Sequence, residues 1–230
     1  MQALHGSLVA LVTPMSLNGD IDYVSLEKLI EWHIAEGTNG IVSVGTTGES
    51  STLNPIEHLD VIDFTVKHVN KRIPVIAGTG ANSTQEAIEL TQESKKLGSD
   101  YALLVTPYYN KPNQRGLIAH YEAVADSVDI PQILYNVPSR TACDLLPSSV
   151  QVLSEHKNIV GIKEALDSMD RIKELVKISS HASNNFSIYS GDDPTFMESL
   201  TLGAHGVISV AANIVPKSIS DICSMVKSNN

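Results

Sequence analysis

The sequence predicts a (β/α)8 barrel of the α/β class, the TIM-type architecture. Three observations carry that prediction. Eight short, β-branched apolar runs recur along the 230 residues. Their starts fall 20 to 34 residues apart, the rhythm of a strand–helix unit. The runs are nearly continuously apolar rather than alternating, as strands covered on both faces of a parallel sheet are.

The elements follow in order. "SLVALVT" (7–13) is the first run. Asp22 then precedes a helical stripe of Leu26, Leu29, Ile30 and His33, which Gly37 closes. "GIVSV" (40–44) leads through "GTTGESS" to "NPIE" (54–57). There Asn54 is an N-cap, Pro55 takes the first helical position and Glu57 completes a capping box. "PVIAG" (74–78) is followed by "STQE" (83–86), a second capping box, with Ala87, Leu90 and Leu97 behind it and Gly98 as terminator. "YALLV" (101–105), "PQILY" (131–135), "NIVGIK" (158–163), "FSIYS" (186–190) and "GVISV" (206–210) are the later strands. "DPTF" (193–196) places a proline just inside a helix start, and Ile219, Ile222, Cys223 and Val226 form a last helical stripe running almost to Asn230. No linker or charge block interrupts the series, so one barrel domain over 1–230 is expected.

Composition narrows the function. A net charge of −10 argues against nucleic acid or an anionic membrane as partner. An anionic substrate would then need cations concentrated at its site. Cys143 and Cys223 form no CxxC motif, and a chain of this size needs no disulfide. No apolar run approaches membrane-spanning length, and "MQALHGSLVALVTP" is too short and uncharged for a secretion signal. A cytoplasmic protein is expected. The eight histidines are scattered without ligand spacing, so no metal site is expected.

Active sites of such barrels lie at the C-terminal ends of the strands. Lys163 ends the run "VGIK" there, where a solvated charge is out of place. The plain alternative is a surface lysine paired with Glu164 or Glu155. If Lys163 is instead buried, its ammonium form is disfavoured, and the free amine can attack a carbonyl to form a Schiff base. Gly161 shares its strand face and would leave space below a long amine. Tyr135, one strand earlier, can donate and accept the proton that such a step moves, with Thr46 as relay. The alternative for Tyr135 is a core phenol with a satisfied hydroxyl. "GTTGES" can turn backbone N–H groups toward a carboxylate, or be only a hydroxyl-rich turn. Arg140, just past the fifth strand, can grip a carboxylate with two bonds, or make a surface salt bridge.

"GTTGES", "TPYYNKP", "ILYNVPSRT", "GIKEA", "SGDD" and "GAHGVISV", in this order and spacing, resemble the dihydrodipicolinate synthase family, also called 4-hydroxy-tetrahydrodipicolinate synthases. These are (β/α)8 barrels among the pyruvate-dependent class I aldolases. The resemblance spans essentially the whole chain. It implies that Lys163 forms a Schiff base with pyruvate and that no separate cofactor is used. Tyr135, Thr46 and Tyr109 would form a proton relay, Tyr109 reaching in from a neighbouring subunit of a homodimer or homotetramer. Backbone groups of Thr46 and Thr47 would hold the pyruvate carboxylate. Arg140 would receive the carboxylate of L-aspartate 4-semialdehyde, and Gly191 and Ile208 would line the pocket. The reaction would be a lyase-type step towards lysine and diaminopimelate.

Two departures accompany the resemblance. Family members usually continue past the eighth helix with a further helical segment, whereas this sequence stops at Asn230. Some members bind lysine at a dimer-interface site, and the matching positions here are Ser50, Ser51, Pro55, His58, Asn82, Glu86 and Tyr108. Pro55 stands where lysine-sensitive members can carry a histidine, which implies weak inhibition or none. Rival readings are a sialic acid lyase or sugar-acid aldolase of the same class, or a non-catalytic binding protein on the same barrel. The arginine of "NVPSRT" favours the synthase, because a semialdehyde substrate brings its own carboxylate. Asp192 and Asp193 after the seventh strand would repel a phosphate.

Overall fold

A computed structural model describes residues 4–228. Its strands are β1 (Gly6–Ala10), β2 (Gly40–Ser43), β3 (Val75–Gly78), β4 (Tyr101–Val105), β5 (Gln132–Asn136), β6 (Ile159–Glu164), β7 (Ser187–Ser190) and β8 (Gly206–Ser209). They pair in sequence order, all parallel, and β8 closes on β1. The helices are α1 (Tyr23–Ala35), α2 (Pro55–Val69), α3 (Thr84–Leu97), α4 (Gln114–Ser127), α5 (Pro138–Thr141), α6 (Pro147–Leu153), α7 (Met169–His181), α8 (Phe196–Thr201) and α9 (Pro216–Lys227). The expected (β/α)8 barrel is the observed fold. Residues 1–3 and 229–230 of the expected domain span lie outside the described residues, while the last helical stripe, Ile219 to Val226, falls within α9.

Local chemistry explains most boundaries. The Asp22 carboxylate accepts from Ser25 N at 3.0 Å and starts α1. Asn54 accepts from Ile56 and Glu57, and the Glu57 carboxylate accepts from Asn54 N at 3.1 Å, so the first capping box is complete. The second is only half made. Ser83 Oγ accepts from Glu86 N at 3.4 Å, but the Glu86 side chain lines a cavity beside Tyr108 rather than returning to Ser83. The reading of "DPTF" also needs correcting. α8 starts at Phe196, after Thr195, so Pro194 precedes the helix. The Asp193 carboxylate is spent elsewhere, accepting from Val210 N and Ala211 N at 3.0 and 2.8 Å.

Packing decides which face of each strand points inward. Leu8 and Ala10 of β1, Val42 of β2, Ile76 of β3, Leu103 of β4, Ile133 and Tyr135 of β5, Tyr189 of β7 and Ile208 of β8 form one buried cluster, the barrel lining. The opposite faces pack under the helices in two further clusters. The register sets Tyr135 opposite Lys163 and Lys163 opposite Tyr189. Lys163 therefore lies on the inward face. The space expected beside Gly161 is filled. A Cβ there would come within 2.6 Å of the Ser187 carbonyl and 3.2 Å of the Tyr189 ring. Tyr189 donates its hydroxyl to Leu4 O at 3.0 Å, so a tyrosine fills the barrel below Lys163.

Candidate active site

Lys163 is only 5% exposed at the C-terminal end of β6. It pairs with neither carboxylate that a surface lysine would use. Glu164 points to the other face of the strand, and Glu155 accepts from Ser183. Burial pushes the Lys163 pKa down to about 8, the Asp193 carboxylate opposes that shift and the Arg140 guanidinium adds to it. Its Nζ lies 4.4 Å from the centroid of the Tyr135 ring. Gly191 closes the other side: a Cβ there would meet Lys163 Cε at 2.7 Å, so no larger residue fits without moving the amine's stem.

Tyr135 is buried at the end of β5. Burial raises its pKa, while a hydrogen bond with the Thr46 hydroxyl and the charge of Arg140 lower it. The tyrosine, threonine and arginine thus act on one another and on the lysine. Thr46 is exposed at the rim and Thr47 half-buried. Neither backbone N–H donates to a backbone or side-chain acceptor among the described residues. Two donors are left open in this loop, as an anion would require. The loop is built under strain. Val44 has φ 53, a conformation costly for a β-branched residue, and it turns the chain sharply out of β2.

Arg140 sits exposed in α5, one turn of helix opened by Pro138. It lines, together with Thr46, Val137 and Thr141, a cavity of about 580 Å³. Ile208 is fully buried in the barrel lining. The same cavity runs out between α2 and α3, where Ser50, Ser51, Pro55, His58, Glu86 and Tyr108 line it. Asn82 is not part of the lining; it donates to Tyr108 O at 3.2 Å and steadies that loop. His58 is buried, with Nε2 2.7 Å from Gly78 O, and desolvation lowers its pKa.

Tyr109 does not join the group in its own barrel. Asn110 N donates to Tyr108 O at 2.9 Å while Tyr109 has φ 73, a γ-turn of the rare positive-φ kind. The turn throws the ring outward, 89% exposed. Strain of this type in an aromatic residue persists only where its surroundings enforce it. Here the crossed bonds between Asn82 and the Tyr108–Asn110 segment do so.

Two features escaped the sequence reading. Asp192 and Asp193 look equivalent in "SGDD", yet Asp192 Oδ2 holds Thr195 at 2.6 Å while only Asp193 acts on Lys163. Glu164, buried beside Lys163, joins Asn136, Asp144 and Arg171 in one polar network. Its neighbours in sequence carry no sign of that.

A buried lysine with a lowered pKa, a phenol beside it and free N–H donors at the mouth of a (β/α)8 barrel can form a Schiff base with a carbonyl compound. That places the molecule among barrels equipped for lysine-based aldol chemistry. The chain belongs to the dihydrodipicolinate synthetase family, whose model matches residues 3–230. It is 57% identical over 220 residues to the 4-hydroxy-tetrahydrodipicolinate synthase of Pseudomonas savastanoi pv. phaseolicola (strain 1448A / Race 6), covering 96% of this chain and 74% of that one. It superposes with TM-score 0.95 on the chloride-inhibited dihydrodipicolinate synthase of Acinetobacter baumannii complexed with pyruvate, at 54% identity, covering 99% of this chain and 77% of the other. A monomeric dihydrodipicolinate synthase variant matches with TM-score 0.96 at 39% identity, over 99% of this chain and 76% of that one.

Proposed function

We propose that this chain catalyses the reaction of the 4-hydroxy-tetrahydrodipicolinate synthases, a lyase-type condensation of pyruvate with L-aspartate 4-semialdehyde. The observation that carries the reading is the buried Lys163, without a hydrogen bond among the described residues and facing Tyr135. The free amine attacks the pyruvate keto carbon, and water leaves as the iminium forms. Tyr135, with Thr46, returns protons to the departing oxygen. The Thr46 and Thr47 N–H groups hold the pyruvate carboxylate, and Gly191 and Ile208 shape the pocket around the adduct. The enamine then attacks the aldehyde of the semialdehyde, whose own carboxylate lies against Arg140. Pyruvate is held by its own covalent bond, so the chemistry calls for no separate cofactor. Borohydride reduction with pyruvate, followed by mass spectrometry, tests the first half: a reduced adduct on Lys163 is expected, and an adduct elsewhere or none overturns the reading. Turnover with aspartate semialdehyde separates the synthase from sugar-acid lyases of the same class.

The catalytic unit is proposed to be a homodimer or a dimer of dimers, with 1–230 as one barrel domain in each subunit. An outward-held Tyr109 touches little of its own barrel and fits a two-fold contact in which each chain completes the other's site. A mixture of inactive Lys163→Ala and Tyr109→Phe chains is expected to regain activity after subunit exchange, because one of the two sites in a mixed dimer has both residues intact. No recovery despite demonstrated exchange would assign Tyr109 to its own barrel or to no catalytic role. The outer cavity, with Ser50, Ser51, His58, Glu86 and Tyr108 and with Asn82 behind them, is the proposed lysine site. Pro55 offers no side-chain hydrogen bond there, so lysine inhibition is expected to be weak. No helix among the described residues is long and apolar enough to cross a membrane, and the proposed biosynthetic role fits a cytoplasmic location.

A further inference from the structure

We infer that Asp193 is the counter-ion of the Lys163 site: one carboxylate oxygen anchors the loop after β8, and the other faces the cation that the lysine carries as ammonium or as iminium. The inference rests on the Schiff-base reading of Lys163 and adds a positioning residue to it. Three observations support it. Oδ2 of Asp193 accepts from both Val210 N and Ala211 N, at 3.0 and 2.8 Å. Oδ1 is buried and has no hydrogen-bond partner among the described residues. The carboxylate follows two residues after Gly191, whose Cα side lies against the Lys163 stem.

A buried carboxylate oxygen with no partner is costly unless a charge answers it. Asp193 is the carboxylate that favours the charged lysine. Asp192, its neighbour, is turned away onto Thr195. The other groups facing Lys163 cannot do this work. Tyr135 from β5 and Tyr189 from β7 are phenols whose pKa burial raises, so both are neutral at ordinary pH, and Arg140 from α5 is itself cationic. Val42 and Ile208, on the far strands of the lining, are apolar. Glu164 lies on the outward face of β6 and is bonded to Asn136 and Arg171.

The charge balance of the reaction makes the role measurable. From the ammonium form, pyruvate and Lys163 give iminium and water, and the net charge does not change. From the neutral amine, the same step takes up one proton. Apparent pyruvate affinity is therefore flat below the lysine pKa and falls with rising pH above it. A counter-ion stabilises ammonium and iminium alike. Removing it leaves the acidic plateau in place and moves the break to lower pH.

The test is the pH dependence of pyruvate binding, read by titration and by borohydride trapping with mass spectrometry, in the unsubstituted protein and in Asp193→Asn. Asparagine keeps an oxygen for Val210 and Ala211 and loses the charge. The break is expected to fall by roughly one pH unit, the low end of the shift that a nearby opposite charge produces. Asp193→Ser, also neutral and also able to accept backbone N–H groups, must shift the break in the same direction. Asp193→Glu, which keeps the charge, is expected to restore most of it. Normal trapping with an unmoved break in both neutral variants would overturn this inference alone. Absence of trapping in the unsubstituted protein would overturn the Schiff-base reading and this inference with it.

Discussion

Lys163 and Glu164 are adjacent on β6, and both are almost wholly buried. Their side chains leave the strand on opposite faces and meet opposite fates. Glu164 accepts from Asn136 at 3.0 and 3.1 Å, from Arg171 at 3.4 Å and from Leu166 N at 3.2 Å. Lys163 has a ring face, a glycine and apolar lining around it, with the Asp193 charge acting on it from outside hydrogen-bond reach. Burial dominates both: it raises the Glu164 pKa to about 7, against Asn136 and Arg171, and lowers that of Lys163 to about 8. The network on the outer face ties β5, β6 and α7 to Asp144, just beyond the Arg140 helix. The inner face leaves its amine without a hydrogen bond among the described residues. A charge that holds the fold is saturated with hydrogen bonds, and a charge that must react is left without them.

The largest effect is expected at the inner member of the pair. Lys163→Ala should abolish borohydride trapping of pyruvate. The fold should persist, because the lowered pKa means that burying the amine costs stability at neutral pH. Sign matters here: a base whose folded pKa lies below its unfolded value destabilises the fold progressively as pH falls through that interval, 10.5 to about 8 for Lys163. Thermal unfolding of Lys163→Ala at neutral pH should show little loss of Tm. A collapse of Tm would mean that Lys163 is structural.

The outer member should behave in reverse. Glu164→Ala leaves Arg171 and Asn136 with Asp144 as their one remaining carboxylate and strips Leu166 N of its acceptor, a loss of about 1–3 kcal/mol in urea unfolding. Glu164→Gln should lose less. Trapping by pyruvate should survive in whatever fraction folds. Equal stability of Glu164→Ala and the unsubstituted protein would break the contrast between the two faces.

Arg140→Ala should cost less again. Loss of one charge-assisted contact is worth about 1.5–3 kcal/mol, so kcat/KM for the semialdehyde should drop by at least about tenfold. Pyruvate trapping should stay nearly intact. An unchanged specificity constant would show that Arg140 serves another role.

The smallest effect is a slope. His33 and His120 are buried with one ring nitrogen on a threonine hydroxyl and the other without a partner among the described residues. Burial pushes both pKa values down to about 4 from 6.5. The unfolded chain then binds protons that the folded one refuses, so stability is lost as pH falls from 6.5 toward 4, by up to roughly 1.4 kcal/mol per pH unit from each ring. Glu164 opposes this, since its raised pKa favours the protonated folded form and loses stability as pH rises from 4.5 to about 7. Urea unfolding of His120→Gln across that range should show a shallower acid-side loss than the unsubstituted protein. Glu164→Gln should show a steeper one.

Barrel order, the strand ends that carry Lys163, Tyr135, Thr46 and Arg140, and the Asn54 capping box were all legible in the chain, because each rests on local pattern. Apolar runs of strand length, a proline after a cap and a lysine at the end of such a run speak through neighbours a few residues away. Four things waited for the folded molecule. Gly161 reads as a space and is filled by Tyr189 from the next strand. "STQE" reads as a closed box, yet Glu86 turns to the cavity between α2 and α3. "DPTF" reads as a helix start, yet Asp193 reaches across to the loop after β8. The alternation of residues along β6 said that Lys163 and Glu164 part company but not which one enters the barrel. Strand pairing and closure decide that, by placing Tyr135 and Tyr189 on either side of the lysine. The physical reason is range. Propensity, caps and periodicity act over a few residues of chain, whereas burial, register and the field at a titrating group are summed over side chains that only the closed barrel brings together.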